Sequence, residues 1–63
     1  MTLSKEKVDI VFAKRKQSVT EFCEKTGISR NRFYTIMNSK RISPKTAGRI
    51  AEALEVDVTE IIE

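Results

Sequence analysis

The sequence has no histidine, no tryptophan and a single cysteine, Cys23. One thiol makes no internal disulfide, and without histidine neither the usual zinc patterns nor a cysteine–histidine nucleophile can be assembled. Cys23 is therefore expected to be a small packed residue in a reducing compartment. No apolar run approaches the ~18 residues of a membrane-spanning helix. Lys5 and Lys7 are not followed by an apolar stretch suited to a signal peptide, so a cytoplasmic location and no membrane contact are expected. There is no glycine-rich phosphate loop, no carboxylate pair placed for acid–base work and no metal-ligating set, so no enzyme, cofactor or metal is expected. Repeats, linkers and low-complexity segments are also missing. The 63 residues suffice for one domain, 1–63, and leave no room for a second core. A chain this small buries only about 60% of its unfolded surface, so each cap and packed side chain carries weight.

What is present is a succession of short, capped helical segments. Residues 5–15 are good helix formers with Val8, Val11, Phe12 and Arg15 on one stripe, and Ile10 lies off it. Lys14, Arg15 and Lys16 close this helix, where cations suit the helix dipole and one of them is also placed for a phosphate contact. Ser18 and Glu21 have the spacing of a capping box that opens a second helix, with Phe22 and Cys23 inward. Gly27 is a natural left-handed stop, and Ser29 offers a fresh cap two residues later. Two helices joined so briefly cross steeply, as in a helix-turn-helix. The third helix, Arg30 to Met37, turns Phe33, Ile36 and Met37 inward and leaves Asn31, Thr35 and Asn38 outward, with Arg30, Arg32 and Tyr34 on the flanks. Ser43-Pro44 starts a fourth helix with Ala47, Ile50, Ala51 and Leu54 on one stripe. Asp57 and Glu60 form a last capping box, opening a short fifth helix with Val58, Ile61 and Ile62. The fold expected is all-α, with five short helices and no strand.

Charge is divided unevenly along this chain. All 12 bases lie in positions 1–49 against Glu6, Asp9, Glu21 and Glu24, a balance of +8. Positions 50–63 hold Glu52, Glu55, Asp57, Glu60 and Glu63 and no base, a balance of −5. No acid occurs from Lys25 through Ala51. The outward side of the third helix thus offers arginine, asparagine, threonine and tyrosine on a basic background, side chains suited to phosphates and base edges.

At this point residues 5–62 resemble the helix-turn-helix domain of Cro/C1-type phage repressors, the XRE family, a lambda-repressor-like fold with the motif at helices two and three. The resemblance rests on the small Cys23, Gly27 four residues later, and the apolar Ile28, Phe33 and Ile36. It extends through GISRNRFYTIMNSKR, similar to the family's turn, recognition helix and following loop, and through RIAEALEVDVTEII, similar to its last two helices. It implies a sequence-specific regulator of transcription, acting as a repressor on double-stranded DNA. Carried over by position, Arg30, Asn31 and Thr35 read bases with Arg32 and Tyr34 flanking. Main-chain amides around Ser18 and Val19, together with Asn38, Lys40 and Arg41, hold phosphates. Members commonly dimerise, and Val56, Val58, Ile61 and Ile62 are the patch expected to serve a homodimer. The alternative reading on the same fold is an antitoxin-like or adaptor module that binds a protein partner through its acidic end.

Several positions depart from the family pattern. Val19 stands where glutamine is common, leaving only its amide for a phosphate. Phe12 and Met37 stand where many members pair arginine with glutamate, so a hydrophobic contact is expected there. Thr26, Ala47 and Gly48 are smaller or more polar than usual, a volume that Phe22 and Phe33 are suited to fill. Ser39 and Glu55 replace glycines; each costs on the order of 1 kcal/mol if its φ is positive.

Overall fold

A computed structural model describes all 63 residues as four α-helices: α1 (Lys5–Arg15), α2 (Val19–Thr26), α3 (Arg30–Asn38) and α4 (Pro44–Leu54). The expected fifth helix is a single 3₁₀ turn, Val58–Glu60. Its capping box forms as expected, but only three residues separate Asp57 from Ile61, too few for an α-helical ladder. The all-α expectation holds, with one isolated antiparallel bridge between Leu3 and Ile62.

Each α-helix starts on a serine whose hydroxyl accepts an amide three residues on. Ser4, Ser18, Ser29 and Ser43 take the amides of Lys7, Glu21, Arg32 and Thr46 at 3.1–3.2 Å. The ends are less uniform. Gly27 closes α2 at φ 79°, where glycine has no steric penalty. Lys16 and Glu55 close α1 and α4 in the same left-handed region, at φ 52° and 59°, without that freedom. The penalty weighed for Glu55 thus falls there, whereas Ser39 sits at φ −70° and escapes it. Lys16 is an unforeseen third case.

The core is entirely apolar, with no buried polar side chain. Its centre is three phenylalanines, one from each of α1, α2 and α3. Phe12 meets Phe22 edge-on at 5.5 Å, and Phe33 lies 5.4 Å from Phe22 and 6.0 Å from Phe12. Edge-to-face pairs contribute about 0.5–1.5 kcal/mol beyond the area they bury. Met37 joins the same cluster as Phe12, so the hydrophobic packing expected of these two residues is present. Ala47, Ile50, Ala51 and Leu54 supply the α4 side, and Cys23 is buried.

Residues 1–4 pack as part of this body. Leu3 is 2% exposed and, with Val8, brackets the Ser4 cap as an apolar pair across the start of α1. The segment is hydrogen-bonded on both sides. Ile42 N–H donates to the Met1 carbonyl at 2.7 Å, and the Thr2 hydroxyl donates to the Lys40 carbonyl. On the other side Ser4 N–H donates to the Ile61 carbonyl at 2.8 Å and Glu63 N–H to the Thr2 carbonyl at 3.0 Å. A short strap therefore ties the loop after α3 to the C-terminal segment.

Candidate functional site

The turn Gly27–Ser29 sets α3 across α2. Thr26 helps: its hydroxyl donates to the Phe22 carbonyl at 2.9 Å and accepts the Ile28 amide at 3.4 Å, closing the end of α2 onto the turn. A hydroxyl is therefore useful where an apolar residue is more usual. Phe33 and Met37 are buried and Ile36 half-buried, which fixes the rotation of α3 about its axis. Arg30, Asn31, Arg32, Tyr34, Thr35 and Asn38 are consequently all exposed.

The polar groups of this face are uncommitted. The side chains of Arg30, Asn31, Arg32, Tyr34 and Asn38 make no hydrogen bond or ion pair within the chain; the ion pairs all involve Glu55. Thr35 is the exception. Its hydroxyl donates to the Asn31 carbonyl at 2.8 Å, so its proton is committed and its oxygen is left as an acceptor. Tyr34 packs edge-on to Phe33 at 5.8 Å and borders a groove of about 280 Å³ between α1, the start of α2 and α3. Val8, Phe12, Val19 and Met37 line its apolar part, with Lys5, Asp9 and Asn38 around them. Lys5 beside Asn38 is a basic neighbour of this face that the sequence reading did not single out.

The flanking residues divide into those left free and those already engaged. Lys40 and Arg41 are exposed in the loop that the strap holds through the Lys40 and Ile42 backbone. At the start of α2 the capping box uses Ser18: its amide donates to the Glu21 carboxylate at 3.0 Å. Ser18 is therefore not a free amide donor, and Val19 and Thr20 hold the unpaired amides at that helix end. Arg15 is withdrawn from any phosphate role. Its guanidinium turns inward, donating to the Leu54 carbonyl at 3.0 Å and to Gln17 Oε1 at 3.3 Å, with Glu55 at 3.6 Å.

The C-terminal patch is narrower than expected. Ile61 is 0% exposed and belongs to the core, and Val56, Val58 and Ile62 are half-buried against it. The physical reason is Leu3, which gives the terminal segment an internal partner that spacing alone did not reveal. Asp57 carries a displaced ionisation. Donation from the Thr59 amide and then its hydroxyl, at 2.9 and 2.8 Å, holds the carboxyl below its ordinary value. That belongs to the cap of the 3₁₀ turn and lies away from α3.

No helix is long and apolar enough to cross a membrane. Comparison with curated proteins and with solved structures gives no match. The family model described as the Cro/C1-type HTH DNA-binding domain matches residues 7–63, which takes in α1 from Lys7 onward, the whole of α2, α3 and α4, and the exposed face of α3. The capped α2, the glycine turn and a third helix rotated to leave free donors outward are thus the helix-turn-helix of a known family, and this chain belongs to the Cro/C1-type HTH DNA-binding domains.

Proposed function

We propose that this chain is a sequence-specific regulator of transcription that represses by inserting α3 into the major groove of an operator. The observation that carries this is the exposed, internally unpaired set Arg30, Asn31, Arg32, Tyr34 and Asn38 on one helix face, in a stretch free of acids from Lys25 through Ala51. An α-helix with its side chains is about 10–12 Å across, matched to a major groove about 12 Å wide. Arg30 and Asn31 are the direct readers, arginine suited to guanine and asparagine to adenine, each worth about 1–3 kcal/mol of discrimination. Thr35 offers its methyl group to thymine, and Arg32 and Tyr34 flank. The free amides of Val19 and Thr20, with Asn38, Lys40 and Arg41, hold phosphates on either side.

A single module of this size contacts few base pairs, so two copies on half-sites about one helical turn apart supply the affinity. The remaining exposed surface of Val56, Val58 and Ile62 is available to that pairing once DNA holds the two copies side by side. The chain acts in the cytoplasm, where its DNA target lies. The test is selection of bound duplexes from a random pool, followed by titration in salt. A shared, two-fold-symmetric motif is expected, with an affinity that falls steeply as salt rises. Recovery of no common motif would remove sequence reading, and an affinity indifferent to salt would remove DNA as the partner.

A further inference from the structure

Ile10 is the large apolar side chain of α1 that faces solvent, 47% exposed. One exposed isoleucine is ordinary on a protein surface. Its flanks give it meaning. Glu6 stands one helical turn before it and Lys14 one turn after it, both exposed and neither paired within the chain. The helix dipole accounts for the signs of these two charges but not for an isoleucine between them. Glu6, Ile10 and Lys14 form one row along α1, a ridge with an apolar centre and opposite charges at its ends.

Such a ridge is complementary to itself. Turned about a two-fold axis through Ile10, it brings isoleucine onto isoleucine and sets Glu6 of each copy against Lys14 of the other. Beside Ile10 lies a notch of about 220 Å³, lined by Lys7, Val11, Lys14, Thr59 and Glu60, where the second isoleucine can seat.

We propose that α1 is a self-association surface, on which a second copy of this chain pairs antiparallel through the Glu6–Ile10–Lys14 ridge. The symmetry of the charges selects a second copy over an unrelated partner. No residue of α3 lines the notch. The helix has 11 residues and is about 16 Å long, so the contact buries well under ~1,200 Å². It is weak, below the size of a stable interface. Copies held on one DNA molecule reach millimolar effective concentrations, where a contact this weak gives cooperative occupancy. That last consequence alone rests on the DNA-binding reading.

The test uses the full chain without DNA, followed by sedimentation equilibrium up to about 1 mM, the effective concentration that copies on one DNA molecule reach. Wild type should pass from monomer to dimer, and Ile10→Glu should stay monomeric throughout. Glu6→Lys and Lys14→Glu should each weaken association about tenfold or more, because both end contacts become repulsive. An equimolar mixture of those two variants should recover to within about threefold of wild type, since every end contact in the mixed pair joins opposite charges. Recovery on mixing also shows that both variants are folded. A wild type monomeric at every concentration, an unchanged Ile10→Glu, or a mixture no stronger than its components would each overturn the proposal. Because DNA is absent, none of these outcomes bears on whether α3 reads an operator.

Discussion

Replacing Gly48 by alanine is expected to stabilise the protein. Glycine inside a helix is less favourable than alanine by about 0.8–1.0 kcal/mol, because it surrenders more backbone freedom on folding. That gain is realised only where a methyl group fits. Gly48 is exposed within α4, and a Cβ built on its backbone meets nothing within 4 Å. The close packing that could have justified a glycine is therefore missing, and Gly48→Ala should add about 1 kcal/mol. For a domain of this size that is a rise in Tm of roughly 4–8 °C. Circular dichroism melts and urea titrations should agree, with an unchanged urea slope because the surface exposed on unfolding is the same. Gly27→Ala is the matched control. It too has free space around its Cβ, but its φ is 79°, so the added methyl should cost about 1–2 kcal/mol. Opposite signs from one chemical change would isolate backbone geometry as the cause. A Gly48→Ala protein that melts at or below wild type would refute the reasoning.

The left-handed closures give related expectations. Lys16→Gly should stabilise by about 1 kcal/mol, since Lys16 sits at φ 52° and its side chain holds no partner. Glu55→Gly should gain less in the same melts, because it also loses contacts with Arg15 and Lys25 at 3.6 and 3.8 Å. Arg15→Ala should destabilise by about 2 kcal/mol by urea titration, as it removes a charged donor from the Leu54 carbonyl at the end of α4. Asp57 should contribute a pH-dependent cap. Its carboxyl is held below the ordinary 3.8, so the stabilisation is present above that value and is lost as pH falls through the lower folded value. Asp57→Asn should therefore flatten the fall of Tm with acid in that window, and an unchanged slope would remove the Thr59 contacts as its cause.

Much of the architecture was legible because it is local. Ser18, Ser29, Ser43 and Asp57 announce helix starts by spacing alone, and Gly27 announces the turn between the motif helices. The outward face of α3 followed from the period of Phe33, Ile36 and Met37. What was not legible depends on contacts distant in the chain. The strap of residues 1–4 is too short to show periodicity, and its partners lie at Lys40–Ile42 and Ile61–Glu63. Without it, Leu3 went unnoticed and Ile61 looked like spare surface. Arg15 shared a stripe with core residues, but only the fold shows that the Leu54 carbonyl waits at its tip. Ser18 illustrates a conflict between two roles: the capping box that marks the helix start consumes the amide that a phosphate would need. Nor can local pattern separate Ser39, which avoids positive φ, from Glu55, which does not.

The claim that α3 reads sequence is tested most directly by comparing the sites selected from random DNA by wild type and by Asn31→Ala. Asn31 is exposed, and its side-chain amide has no partner in the chain, so truncation should leave the fold intact. Wild type is expected to select a motif with a strong preference for one base at a fixed position in each half-site. Asn31→Ala should lose that preference alone, with about 1–3 kcal/mol less discrimination there and an unchanged salt dependence. Identical motifs from the two proteins, base for base, would contradict the placement of α3 in the groove.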